Sequence, residues 1–360
     1  MIQKLVLSLI ILSFLSLSGD SQPELPNFSG QLFLKSELLD DAIYLTEGMA
    51  DRNNGVRVDS NTIFDIASIN KSFIANLVLQ AVAERRWQRN TSLNELMERY
   101  GFECRFSPKV NLHKMLCHRS GLGDYDDLDS LWKRDNFRSY KRMHFSNEAY
   151  LNFLSQQKAQ SPDSAFYYSN FAYHILAILL EEEYQKPMDE LLQDKIASPL
   201  RMQALRSPKS RREVIDNLAV GYQLQEGQFL ANEFIDLSLG RRIFCNAHDL
   251  MQWLEADCGA SLLPDSLGVL LGLNMVADLQ DDISYSYGWV PFKKGEHFKM
   301  GDLDLNQEYL IHGGSTEGFQ SLAISVNQGE TNLVLLANNG NGRALFERAK
   351  SILKKLYNED

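Results

Sequence analysis

A chain of 360 residues is longer than one average domain, yet a single large α/β or α+β domain of this size is ordinary. Its 44% hydrophobic and 23% charged residues are the composition of a soluble globular protein and exclude disorder. The balance of 36 Lys and Arg against 47 Asp and Glu leaves a formal charge of −11 with no long basic run, so neither nucleic acid nor an anionic membrane surface is an expected partner.

At the N-terminus Lys4 precedes an apolar run over 5–15 and then small residues around Ser16-Leu17-Ser18-Gly19. This pattern predicts a signal peptide over 1–18, followed by a leader over 19–27 that holds Pro23 and Pro26. The run is shorter than the roughly 20 residues that a bilayer crossing needs. The mature protein is therefore expected in a periplasmic or extracellular space, without stable membrane insertion.

Two extended runs, 28–34 and 42–48, flank a polar turn near Asp40-Asp41 and predict a first hairpin. From Ser68 the spacing turns helical, with Phe73, Leu77, Val78, Ala81 and Val82 forming an apolar stripe that ends near Trp87, which puts Ser68 at a helix start. Residues 90 to 215 read as mainly helical, with apolar positions three and four apart in 112–118, 147–155 and 169–183. A two-residue period returns over 309–312, 318–326 and 332–338, before a last amphipathic helix over 343–356. The expected architecture is α+β: an antiparallel sheet drawn from both chain ends, flanked by helices, with a mainly helical lobe (roughly 90–215) inserted in the middle. No internal repeat or linker divides 28–360, which is expected to be one domain with its site in the cleft between sheet and lobe.

Cys104, Cys117, Cys245 and Cys258 are an even number in an exported chain, which allows three connectivities. No Cys-x-x-Cys and no His pair stands at metal-ligand spacing, so neither a metal nor another cofactor is expected.

Acyl transfer by a serine needs a nucleophile, a group to take its proton and an oxyanion site. Ser68-Ile69-Asn70-Lys71 sets a hydroxyl and an amine one helical turn apart, on one face, where the helix N-terminus favours negative charge. Ser130/Lys133, Ser155/Lys158 and Ser351/Lys354 repeat the spacing, so spacing alone does not choose.

Flanking residues do. The run Thr62-Ile63-Phe64-Asp65-Ile66-Ala67-Ser68-Ile69-Asn70-Lys71-Ser72-Phe73 resembles the nucleophile segment of class C β-lactamases and their peptidase and esterase relatives in the serine β-lactamase and penicillin-binding-protein superfamily. Leu116-Cys117-His118-Arg119-Ser120-Gly121-Leu122 is similar to a helix of that superfamily, Tyr168-Ser169-Asn170 to its Tyr-x-Asn motif, and His312-Gly313-Gly314 to its third motif in the His-x-Gly form. All stand in family order. The resemblance implies a β-lactamase/transpeptidase-like fold in which Ser68 is acylated, Lys71 and Tyr168 share proton traffic, and Asn170 positions substrate and lysine. It further implies that His312, Gly313 and Gly314 hold the substrate and that the Ser68 and Ser315 N–H groups form the oxyanion hole. Asn70 departs from the family's usual Ser or Thr, and His312 from the lysine of many lactamases.

Bland readings stand beside these. Tyr150-Leu151-Asn152 repeats the Tyr-x-Asn spacing, Asn170 can serve as a helix cap, His118 reads as structural, and Gly314 and Gly318 as sites of close backbone approach and a turn. The expected activity is hydrolysis of an ester or amide, a D-amino-acid peptide or small ester, because a histidine in the third motif is mostly neutral near pH 7. The alternatives are a class C type β-lactamase and a non-catalytic ligand-binding relative. The expected partner is a small-molecule or peptide substrate, and the oligomeric state is left open.

Overall fold

Strand β1 (Gly30–Ser36) returns into β2 (Ile43–Glu47) with Leu32 opposite Leu45, the hairpin expected of the first two extended runs. The computed structural model describes residues 28–127, 146–157, 166–208, 213–231, 242–271, 284–316 and 318–359. The expected signal peptide and leader, and Ser130, Lys133 and Lys158, lie outside them.

Four strands from the other end of the chain complete the sheet: β3 (Val290–Phe292), β4 (Tyr309–Thr316), β5 (Phe319–Val326) and β6 (Thr331–Ala337). The order is β2-β1-β6-β5-β4-β3, antiparallel throughout. β1 pairs β6 from Gly30 opposite Ala337 to Ser36 opposite Thr331, so both chain ends share one sheet, as the sequence predicts. β5 and β6 are buried along their whole length because helices cover both faces, which is why the two-residue period there carries so few charges.

Helix α5 (Gly342–Leu356) covers one face. Its Leu345, Ala349, Ile352, Leu353 and Leu356 recur at helical spacing and pack on Leu32, Leu34, Ile324, Leu333 and Leu335. The other face, with Phe33, Leu310, Ala323, Val334 and Leu336, meets the helical lobe through α1 (Asn70–Ala83), α2 (Leu112–Leu116), α3 (Asn170–Tyr184) and α4 (Ala247–Glu255). Each of the Leu, Ile, Val and Phe side chains among them contributes about 1.5–3 kcal/mol on full burial. Between 90 and 208 the described residues hold helices and no strand, in line with the predicted lobe.

Three expectations were too simple. α1 ends at Ala83, short of Trp87, and Arg85 then turns left-handed at φ 59°. α1 is also buried on every side and carries no single apolar stripe, its polar Asn76 and Gln80 being satisfied by Gly259 O at 2.8 Å and Asn76 Oδ1 at 2.8 Å. α2 stops at Leu116, and His118 takes a φ of 56° that no helix continues through. The four cysteines are buried free thiols. No helix among the described residues is long and apolar enough to cross a membrane.

Candidate active site

The segment that carries Ser68 begins with a short antiparallel pair, Phe64–Asp65 with Phe244–Cys245. After it Ala67 adopts φ 47°, a left-handed conformation that costs a non-glycine residue on the order of 1–3 kcal/mol, and one tight helical turn, Ala67–Ile69, carries Ser68 into α1. Three contacts hold the strained turn. The buried Asp65 carboxylate accepts the Ala67 N–H at 2.8 Å, the Ser321 hydroxyl donates to Ile66 O at 2.7 Å, and the Ile66 N–H donates to Ile243 O at 3.1 Å. Arg242 faces the same carboxylate at 3.0 Å and donates to Thr316 Oγ1 at 2.5 Å, so the turn is tied to the end of β4.

Lys71, in the first turn of α1, is buried and donates to Ser68 Oγ at 3.2 Å and to Asn170 Oδ1 at 2.9 Å. Its ammonium also lies 4.9 Å from the Tyr168 ring centroid and 5.7 Å from that of Tyr173, within the range of cation–π attraction. Asn170 does not cap α3. Ser169 does, its hydroxyl oxygen accepting the Ala172 N–H at 3.0 Å, which leaves the Asn170 side chain for Lys71 on one side and the Asp124 carboxylate on the other, at 3.1 and 2.9 Å from Nδ2. Burial pushes the Asp124 carboxyl up from its ordinary value, against the Tyr125 N–H and the Asn170 amide.

β4 forms the opposite wall. It pairs with β3 only from Tyr309 to Ile311, so among the described residues no strand adds to it beyond, over 312–316. At Gly314 a β-carbon would stand 2.5 Å from Ile66 O and 2.9 Å from the Ala67 β-carbon, so only glycine lets this strand lie against the turn that carries Ser68. Gly318 takes φ 80° in the turn to β5.

His312 is buried. Its Nδ1 lies 2.7 Å from Gly313 O, which can only accept, so Nδ1 carries the proton and Nε2 accepts from the Tyr285 hydroxyl at 3.1 Å. Burial, with the charge of Lys71, pushes the imidazole from 6.5 down to about 3, so it is neutral around pH 7. His118 is likewise buried and neutral, held well below its ordinary value first by burial. Its Nδ1 accepts the Ser169 N–H at 3.0 Å, and its ring lies between Tyr168 and Tyr285 with centroids 4.2 and 4.4 Å away.

One cavity of 590 Å³ collects these groups. Ser68, Lys71, Tyr168, Asn170, His312, Gly313, Gly314 and Ser315 all line it, as do Asn70, Asp124 and Arg242. Asn70, at the family's Ser or Thr position, has its Oδ1 buried without a hydrogen-bond partner among the described residues. The competing Tyr150 is sealed in the lobe core, its hydroxyl 2.6 Å from His174 Nδ1. Ser351 and Lys354 sit on α5, with Lys354 paired to Asp304 at 3.0 Å. Asp65, Asp124, Arg242 and Tyr285 were not singled out from sequence. Only Asp65 stood in a quoted motif, and the others act across long chain separations that no local spacing records. Among the described residues no cluster of His, Cys, Asp and Glu could hold a metal.

The arrangement is a buried amine on a serine hydroxyl, beside an open strand edge. A family model described as Beta-lactamase matches residues 35–356. Among solved structures, a penicillin-binding protein from Bacillus halodurans is 20% identical, covering 91% of this chain and 97% of that one, with a TM-score of 0.74. A D-amino acid amidase from Ochrobactrum anthropi SV3 is 18% identical, covering 92% and 95%, also at 0.74. Protein flp of Staphylococcus aureus (strain MW2) is 20% identical over 298 residues, 81% of this chain and 56% of that protein, so the chain spans little more than half the length of this curated relative.

Proposed function

The chain belongs to the β-lactamase family, a superfamily of serine hydrolases, and from that premise we propose that Ser68 is the nucleophile of an acyl-enzyme mechanism on a D-amino-acid peptide or amide, or a small ester. The observation that carries the reading is the double contact of Lys71 Nζ, 3.2 Å from Ser68 Oγ and 2.9 Å from Asn170 Oδ1, on the wall of a cavity that also takes in the edge of β4. Ser68 Oγ attacks the substrate carbonyl carbon while its proton passes to the Lys71–Tyr168 pair, which enters the step one proton short, with the Tyr168 oxygen as acceptor beside the Lys71 ammonium. The Ser68 and Ser315 N–H groups stabilise the oxyanion. As the tetrahedral centre collapses, the bond to the leaving group breaks and the pair hands it the proton. Water then attacks the Ser68 ester, releasing the acid and restoring the hydroxyl.

Three features weigh against a substrate that presents a carboxylate beside the scissile bond, as a β-lactam does, and so favour the amide or ester. His312 stands neutral where many lactamases carry a full charge. The charge of Arg242 faces Asp65 at 3.0 Å. The cavity toward α5 is lined by Val290, Met300, Ile311, Leu322, Leu345 and Phe346, which offer apolar surface and no cation. The fold shared with a D-amino acid amidase agrees with this substrate class. Export, which rests on Lys4 and the apolar run after it, belongs to the same proposal.

The test is kcat/KM on four substrates: a D-amino acid amide, a neutral acetyl ester, a peptide ending in D-alanine and a penicillin. The proposal expects turnover of the amide or ester to exceed that of the penicillin. Faster penicillin hydrolysis would assign the chain to the lactamases instead.

A further inference from the structure

The side chain of Asn170 has two ends of equal size, an oxygen and an NH2 group, and its neighbours decide which end faces Lys71. The Lys71 ammonium offers only donors, so it must meet the oxygen, and it does at 2.9 Å. On the other side stands a carboxylate, which only accepts, with both Asp124 oxygens on Nδ2 at 3.1 and 2.9 Å. A flipped amide would set its NH2 against the ammonium and its oxygen against the carboxylate, so both neighbours select the same orientation, and removing the carboxylate removes one of the two restraints.

Asp124 is itself held. The Tyr125 N–H donates to its Oδ1 at 2.8 Å, and its own main-chain N–H donates to Asp127 Oδ2 at 2.7 Å. Asp127 Oδ1 accepts from the Tyr167 hydroxyl at 2.7 Å, and the Ser169 hydroxyl donates to Gly123 O at 2.9 Å. The segment 123–127 is thus stitched to the chain on both sides of Tyr168. Asp124 makes no hydrogen bond to Ser68 or Lys71; the Lys71 charge reaches its carboxyl across the site, but the contact that can fix where Lys71 sits runs through Asn170.

We propose that Asp124 is a positioning residue for acylation: its carboxylate locks the Asn170 amide so that Oδ1 holds Lys71 in place beside Ser68. The assignment rests on the reading of Ser68 as an acylated nucleophile. It makes the constellation a chain of four, Asp124, Asn170, Lys71 and Ser68, in which the first member orients the second. A misplacement of about 1 Å in such a site costs roughly 100-fold in rate.

The experiment measures the rate at which a fluorophosphonate labels the full chain, in wild type, Asp124→Asn, Asp124→Ala, Asn170→Ala and the double variant Asp124→Ala/Asn170→Ala, with urea midpoints taken alongside. Asp124→Ala should label roughly 10- to 100-fold more slowly than wild type. Asp124→Asn keeps one accepting oxygen and should fall between them, a rescue that a general packing defect does not give. The double variant should be little slower than Asn170→Ala, because Asp124 positions Lys71 through that amide. Asp124→Ser, whose hydroxyl is too short to reach Nδ2, takes the place of the alanine variant should that one not fold. Labelling of Asp124→Ala at the wild-type rate, an asparagine variant as slow as the alanine one, or a double variant that loses the product of both factors overturns the assignment. A wild type that takes no label at Ser68 overturns the acyl-enzyme reading itself, and the assignment with it.

Discussion

Lys71 Nζ and Asn170 Oδ1 meet at 2.9 Å although 99 residues separate them in the chain. The first turns of α1 and α3 converge there, and Tyr168 arrives beside the same ammonium because it directly precedes the Ser169 cap. Groups gathered in this way act as one unit. Lys71→Ala and Tyr168→Phe should each slow acylation by about 100- to 10,000-fold, the usual worth of a positioned general base, and the double variant should be little worse than the slower single. Pre-steady-state acylation rates on a neutral ester check this. A double variant showing the product of both losses would mean two independent roles.

Gly314 should be the least replaceable residue of β4. In Gly314→Ala the new methyl meets Ile66 O at 2.5 Å and the Ala67 β-carbon at 2.9 Å, both on the turn that presents Ser68. Acylation should fall by more than about 100-fold, since positioning is what suffers. Gly313→Ala, whose β-carbon meets nothing nearer than the Leu322 side chain at 3.6 Å, should fall far less. Equal losses in the two variants would show that the strand does not lie against the turn.

Asp65 should matter to stability as well as rate. Asp65→Ala removes the acceptor of the Ala67 N–H and the carboxylate opposite Arg242. Breaking a buried pair of this kind costs about 3–5 kcal/mol. Asp65→Asn keeps an acceptor for the strained turn and should lose less. Urea unfolding of the two variants measures the difference, and equal midpoints would remove Asp65 from the account of the turn.

The pH dependence of stability has a definite sign at His312. Its imidazole is pushed from 6.5 to about 3, so between those values the unfolded chain binds a proton there that the folded chain does not. The stability from this group is complete above pH 6.5 and declines as pH falls toward 3. His118, also held well below its ordinary value, adds in the same direction. His312→Gln should therefore show a shallower loss of urea midpoint between pH 7 and pH 4 than wild type. The wild-type preference between a neutral ester and an anionic D-alanine peptide should stay flat from pH 5 to 8, and His312→Lys should move it toward the peptide. A preference that titrates near pH 6.5 would show that His312 works as a cation.

Much of this molecule was legible in local pattern. The first hairpin, the three long C-terminal strands and α5 each carry a period that burial imposes, and the strand partners follow because chain ends with open edges must pair. That Ser68, Lys71, Tyr168 and Asn170 would share one cavity was readable because each sits in a short motif. Asp124 was not, since it works through a hydrogen bond to a residue 46 positions away. Arg242 reaches Thr316 across 74 positions, and Tyr285 reaches His312 across 27. The strain at Ala67 was equally silent, because it is imposed by contacts with Asp65, Ile243 and Ser321 and not by alanine itself. Ser169 and Asn170 show a subtler limit: either could cap α3, and only the structure shows which side chain is left over.

The most direct test of the account is the intact mass of the protein after reaction with a fluorophosphonate, followed by peptide mapping, in wild type and Ser68→Ala. The account predicts one added phosphonyl group, located on Ser68, in the wild type and none in the variant at an unchanged urea midpoint. Full labelling of Ser68→Ala, or a label on any other serine of the wild type, would contradict it.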